Sequence, residues 1–172
     1  MSGIVDLKRA RMVKTVRRAF RNWATQFGEQ FGVATGFSDI STKTLAFLAK
    51  GSDQSAFYFF DLIMNLQGLG SGFEFNSLTP KEKLSVMDRY LFLLDRVRFE
   101  HMKRLGWLDD YPGAEMAFTD LVFQFEGLAP PLQAKTPSLS KKHPAFPKFS
   151  NMGAFEREEF VRKLIPEALK LL

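Results

Sequence analysis

Residues 79–106 read TPKEKLSVMDRYLFLLDRVRFEHMKRLG. Thr79 can cap a helix, Pro80 suits its first position, and Glu82 completes a capping box. Apolar residues then recur at three- and four-residue spacing until Gly106, which is a helix stop. The stretch therefore predicts one long helix. We expect its inward face to hold Leu84, Met87, Tyr90, Leu91, Leu94, Val97 and Met102.

Charged residues repeat on this helix, because Asp88-Arg89 and Asp95-Arg96 are seven residues apart. Paired carboxylates can hold a metal or transfer protons, but no histidine follows at a ligand spacing. His101 lies six residues beyond Asp95, and that spacing points the two side chains away from each other around the helix axis. We therefore expect local salt bridges to Arg89, Arg96 and Arg98.

Helical patterns also flank residues 79–106, at about 39–51, 54–67, 112–126 and 153–172, and no alternation or hairpin signal indicates strands. The chain has 172 residues and is 45% hydrophobic, which suffices for one domain with a core. We predict an all-α fold over residues 1–172: a single compact bundle of five to six helices. A long Pro/Lys-rich loop at 127–152 precedes the C-terminal helix.

The inventory of reactive side chains is small. The chain has no cysteine and two histidines, which removes thiolate metal sites, cysteine nucleophiles and histidine-rich metal sites. Catalysis is disfavoured, and only a site built from carboxylates stays open. We nominate no catalytic residue, no metal ligand and no cofactor.

The first 31 residues carry the entire net charge of the chain, which is +5. They predict a basic amphipathic helix at about 4–31, with Met12, Val16, Phe20 and Trp23 on its apolar side. The opposite side carries Arg11, Lys14, Arg18 and Arg21. It is either an ordinary solvated face or a docking surface for something acidic, and the one-sided charge favours docking.

Two later segments bear on what that helix contacts. Residues 107–126 hold five acidic residues and no basic one, so they could pair with the basic helix within the chain or in a neighbouring subunit. Residues 127–151, the arm, hold four lysines, five prolines and no acid, and read as an extended segment. We expect the arm to contact a partner through Lys141, Lys142, Phe146 and Phe149, or else to pack its phenylalanines on the helical body.

These patterns predict a non-enzymatic interaction or assembly module that docks an acidic protein, or a second copy of itself, through the basic helix and the arm. A nucleic-acid-binding protein stays open, because cations can contact phosphates without reading sequence. An apolar-ligand or membrane-surface role also stays open, because residues 54–67 are apolar almost all round.

No stretch is long and apolar enough to cross a bilayer, and we expect a cytoplasmic protein. A location in an organellar matrix stays open if residues 1–28 act as a targeting segment.

Overall fold

A computed structural model describes residues 2–172, with side chains from Leu7 onward; Met1 and the side chain of Asp6 lie outside the described part. The fold is mostly α-helical, as predicted, with many helix–helix contacts. The α-helices are α1 (Ser2–Ala19), α2 (Arg21–Phe27), α3 (Thr42–Ala49), α4 (Asp53–Gln67), α5 (Pro80–Arg104), α6 (Phe118–Phe123), α7 (Phe125–Gln133), α8 (Phe146–Ser150) and α9 (Ala154–Leu169).

The long helix predicted from residues 79–106 is α5. Thr79 Oγ1 accepts from the Glu82 N–H at 3.2 Å, and Glu82 Oε1 accepts from the Thr79 N–H at 2.9 Å, which forms the predicted capping box. Helix α5 packs against α3, α4 and α9. Two expected inward positions are wrong: Leu84 and Leu91 are 66% and 52% exposed. They lie one above the other on a stripe of α5 that faces away from these helices.

Helix α4 occupies the centre of the fold, where it contacts α1, α2, α3, α5 and α6. The sequence offers Ser52 or Asp53 as the cap of this helix, and in the structure the Ser52 hydroxyl accepts from the Ser55 N–H. Phe59, Leu62, Ile63 and Met64 are fully buried, so the apolar character of residues 54–67 is explained chiefly by core packing.

The predicted N-terminal helix at 4–31 is wrong in its extent, because two helices replace it. Phe20 separates α1 from α2, because its own backbone dihedral angles are not helical. Its N–H still donates to Val16 O at 3.0 Å. Gly28 ends α2 with φ of 66°, a left-handed conformation that glycine adopts without strain. Residues 28–31 are therefore not helical.

Trp23 is the centre of the aromatic core beneath α1 and α2. It is fully buried, and its indole N–H donates to Tyr58 O of α4 at 2.8 Å. Its ring makes edge-to-face contacts with Phe27, Phe31, Phe59 and Phe118. These contacts fix α2, which follows α1, to the body through one aromatic cluster.

The loop predicted at 127–152 is wrong as a continuous loop. Helix α7 continues through Pro130 and Pro131, whose fixed φ is itself close to the helical value. Strand β2 (Ser138–Leu139) pairs antiparallel with β1 (Leu108–Asp110), and α8 follows. The small two-stranded sheet was not predicted, since a two-residue strand carries no alternation.

The predicted helix at 112–126 begins later than expected. Gly113 adopts φ of 91° within a turn, and α6 starts at Phe118. The C-terminal helix predicted at about 153–172 corresponds to α9, which continues without interruption through Pro166 and ends at Leu169.

Candidate docking surfaces

The segment formed by α1, Phe20 and the start of α2 divides into two parts that differ in burial. Residues 7–14, which we call the tip, are all exposed. Val16, Ala19, Phe20 and Trp23, which we call the base, are buried against the body. The first described turns of α1 therefore extend beyond the packed core.

The tip combines positive charge with exposed apolar groups. Its cations are Lys8, Arg9, Arg11 and Lys14, and its exposed apolar side chains are Leu7 (59%), Met12 (46%) and Val13 (37%). Arg9, Ala10, Val13, Lys14 and Arg17 border an open, shallow depression between their side chains, which we call the tip groove.

Arg11, Lys14, Arg18 and Arg21 are all exposed, which is compatible with the predicted basic surface. Among residues whose side chains are described, no carboxylate forms an ion pair with a basic residue of α1 or α2. The cations of this surface therefore have no ion-pair partner within the part of the chain whose side chains are described.

The acidic segment 107–126 pairs with α5 instead of with α1. Glu126 accepts from Arg89 Nη2 at 3.0 Å, and Asp110 lies 3.6 Å from Lys103 Nζ. The hydrogen bond from Arg89 lowers the pKa of Glu126 below its ordinary range. Pairing within the chain thus joins residues 107–126 to the centre of the fold.

The local salt bridges predicted on α5 are also replaced by contacts between helices. Asp95 accepts from Arg162 Nη1 of α9 at 3.1 Å, and Arg98 Nε donates to Ala49 O at 2.9 Å. Although burial by itself would lower the pKa of Arg162, the Asp95 carboxylate beside it raises that pKa. These charges fix α5 against its neighbours.

The four arm residues nominated from the sequence divide by burial. Phe149 is buried, Phe146 is half-buried, and Lys141 and Lys142 are exposed. The Phe149 ring packs against Phe160 of α9 at 6.2 Å between centroids. Phe149 therefore packs on the helical body, which is one of the two arrangements expected for the arm.

The structure does not bring the arm and the tip together into one surface. The principal contacts of α1 are with α4 and α2, whereas β2 pairs with β1 and α8 lies against α9 through Phe149. Lys141, Phe146 and Phe149 share a cavity of about 330 Å³ with Arg157 of α9. Sequence reasoning missed Arg157, because nothing local links it to residues eight or more positions earlier.

Buried polar groups in the body hold its loops in place. Glu100 accepts from the Tyr111 hydroxyl at 2.7 Å and from Arg104 Nε at 2.8 Å, and Arg104 Nη2 donates to Phe37 O and Ile40 O. Burial and the Glu100 hydrogen bond raise the pKa of Tyr111 strongly. Because every partner is an internal group, this network fits a structural role.

Arg96 is a buried cation of a different kind, only 3% exposed. Its guanidinium lies over the rings of Phe92 and Phe99, at 4.6 and 5.4 Å from their centroids. Its Nε has no acceptor among the described residues, and burial lowers its pKa.

Within residues 7–172, no three His, Asp or Glu side chains are grouped as metal ligands. No helix in the described part of the chain combines the length and hydropathy required to cross a bilayer.

No protein-family description matches this chain, and neither the curated proteins nor the solved structures include a significant match.

Proposed function

We propose that the protein is a non-enzymatic interaction module and that the tip of α1 docks into an acidic groove on a partner protein. The supporting observation is the exposure of the tip around its whole circumference, with both its cations and its apolar side chains accessible. An amphipathic helix binding in a groove is a common recognition mode, with apolar anchors at helical spacing.

Arg9 favours a protein groove over a membrane surface. The apolar stripe of the base continues into the tip as Met12 and Val13, and Arg9 lies on the same side of the helix. A helix lying in a bilayer interface needs an uninterrupted apolar face, so an arginine between its apolar residues weakens insertion. A protein groove can offer a carboxylate at that position and apolar contacts on either side.

The exposed apolar residues also favour a protein over nucleic acid. Phosphate contacts require cations alone, and burying Met12 and Val13 adds nothing to them. A protein groove uses both the charge and the apolar area, at roughly 25 cal/mol for each Å² buried. The acidic rim would set orientation and association rate more than affinity.

A photo-crosslinking residue at position 10 tests the proposal in the native cell, with the same residue at Lys163 of α9 as the control. Ala10 lies in the tip groove, whereas Lys163 is exposed on another helix. We expect position 10 to give an adduct with an acidic protein that position 163 does not give. That protein is then purified and its affinity for the chain is measured directly.

Two sets of variants separate docking from general electrostatics. The double variant Arg11→Glu with Lys14→Glu should abolish binding to the purified partner. The control is Lys50→Glu with Lys163→Glu, which changes the net charge equally and should leave most of the binding. Met12→Ser with Val13→Ser should weaken binding roughly tenfold without any change in charge. Equal loss from both charge pairs, or no loss from the serine pair, contradicts helix docking.

Duplex DNA, RNA and vesicles of phosphatidylcholine with phosphatidylserine provide the competing outcomes. Tip-dependent binding to nucleic acid that falls steeply with salt, without a protein adduct, assigns the surface to phosphates. Tip-dependent binding to the anionic vesicles assigns it to membranes. Either result overturns the proposal of a protein partner.

A further inference from the structure

A cavity lies where β2, α8 and the start of α9 meet. Its volume is about 330 Å³, which is in the range of a small-molecule site. The lining residues that matter here are Asp109, Leu139, Lys141, Phe146, Phe149 and Arg157. They come from four separate parts of the chain, so only the tertiary fold assembles them.

Arg157 is held in place by the end of α8. Its Nε donates to Phe149 O at 3.3 Å and its Nη2 donates to Ser150 O at 2.9 Å. The guanidinium also lies 5.2 Å from the centroid of the Phe149 ring. Nη1 forms no hydrogen bond to any described residue, so a positioned guanidinium retains donors for a ligand.

Lys141 supplies a second cation, and Asp109 supplies one carboxylate. Both are exposed, and neither forms an ion pair with another described residue. With Arg157, the lining carries a net charge of about +1, which suits a monoanion. A dianion such as phosphate would meet the Asp109 carboxylate.

Part of the remaining wall is apolar and lies beside the polar residues Thr136, Ser138 and Ser150. The rings of Phe146 and Phe149 lie 6.3 Å apart between centroids, and Leu139 contributes to the same lining. Phe146 is half-buried, so part of its surface faces solvent and a ligand could cover it. Covering such surface stabilises a complex, and a wall of this kind selects for an apolar tail.

We propose that this cavity binds an organic monocarboxylate with a short apolar tail, the carboxylate between Lys141 and Arg157 and the tail against Phe146 and Phe149. That chemistry occurs in a free carboxylic acid and in the C-terminal residue of a peptide. The site is separate from the tip of α1, so it stands or fails independently of the proposed function.

The probe is 3-phenylpropionate, and its neutral amide, 3-phenylpropanamide, is the matched control. Binding is followed by NMR, through shifts of the Leu139 methyl groups and the Phe149 amide. We expect the shifts to saturate at acid concentrations below about 10 mM, which is the affinity expected of a ligand of this size. The amide should cause much weaker shifts. A tripeptide ending in phenylalanine, with a free or an amidated C-terminus, distinguishes the two sources of the carboxylate.

Lys141→Met is the informative variant, because the exposed Lys141 side chain makes no described contact that folding needs. It should weaken binding of the acid roughly three- to tenfold. Lys142→Met, at the exposed neighbour outside the cavity lining, should leave binding unchanged, and Asp109→Asn should strengthen it.

Three results would overturn the proposal: no saturable shift at about 10 mM acid or free peptide, equal binding of acid and amide, or equal effects of the two lysine variants. The amide spectrum of each variant shows whether it is folded, so loss of structure is not mistaken for loss of binding.

Discussion

The tip of α1 and the base, which extends into α2, both carry apolar side chains, but these side chains differ in their surroundings. In the base, Phe20 and Trp23 are buried beneath α4, and Asn22 donates to Asp61 at 2.9 Å. In the tip, Met12 and Val13 continue the apolar stripe into solvent. Folding accounts for the residues of the base, whereas the apolar residues of the tip gain nothing from the described fold.

That difference shows how to separate residues kept for stability from residues available for binding. A buried side chain contributes to the free energy of unfolding, and removing it should be measurable by denaturation alone. A surface side chain with no internal partner should change stability by less than about 0.5 kcal/mol. Variants at equivalent positions of the base and the tip therefore test the division directly.

The largest effect is expected from Trp23→Ala. The change removes a fully buried ring and leaves Tyr58 O without its donor, so we expect a loss of about 3–5 kcal/mol in the free energy of unfolding. Chemical denaturation followed by circular dichroism measures it. Met12→Ala in the tip is the control and should cost less than about 0.5 kcal/mol. Similar losses for the two variants would show that the tip is packed in solution.

Asp61→Ala should give the next largest effect. This fully buried carboxylate accepts from Asn22 Nδ2 and from the Gly72 N–H, each at 2.9 Å. Alanine leaves the buried Gly72 N–H and the half-buried Asn22 amide without this acceptor, and we expect a loss of about 2–4 kcal/mol. The matched control is Asp88→Ala on the exposed side of α5, which should change stability by less than about 0.5 kcal/mol. A small effect at Asp61 would mean that water replaces the carboxylate.

The sequence predicted those parts of the fold that depend on neighbouring residues. The capping box at Thr79 and the Ser52 cap of α4 are local, so both helix starts could be read from the chain. Periodicity alone could not show where α1 leaves the body, because the apolar stripe has the same spacing in the tip and in the base.

The parts that were missed depend on contacts distant in sequence. Arg157 and Lys141 line one cavity only because α8 turns the chain back onto α9. Leu91 was expected to face inward, but it lies on a stripe of α5 that no neighbouring helix buries. Pattern analysis thus identified the candidate basic surface, and tertiary structure was needed to find the cavity beside the arm.

Low pH should weaken a smaller contact, which the Glu29 carboxylate makes just after the end of α2. Glu29 accepts from the Ser41 N–H at 3.0 Å, from the Ser41 hydroxyl and from the Thr44 hydroxyl, and so joins the end of α2 to the start of α3. Burial alone would raise the pKa of Glu29, but these hydrogen bonds lower it overall.

Because the folded-state pKa of Glu29 lies below the unfolded value, its contribution is fully present above the unfolded pKa. That contribution is lost as pH falls through the folded pKa. Glu29→Gln should cost about 0.5–1 kcal/mol at neutral pH and should flatten the fall in stability between about pH 5 and 3. Denaturation curves over that range measure the slope, and a slope unchanged by the substitution would assign the acid sensitivity to other carboxylates.

The smallest effect on stability is expected from neutralising the tip, as Arg9→Gln, Arg11→Gln and Lys14→Gln together. Glutamine has nearly the same helix propensity as these residues, and no described acid pairs with them. Removing repulsion between Arg11 and Lys14, and between Lys14 and Arg18, should even raise the free energy of unfolding by up to about 0.5 kcal/mol.

Denaturation at low and high salt checks this result, since added salt should reduce the gain by screening the same repulsion. A loss above about 1 kcal/mol would mean that the tip cations contribute to folding, and the division between base and tip would fail. Unchanged or increased stability would mean that the positive charge of the tip does not stabilise the fold. That result would fit either a solvated face or a ligand outside the chain, and the crosslinking experiment at position 10 distinguishes the two.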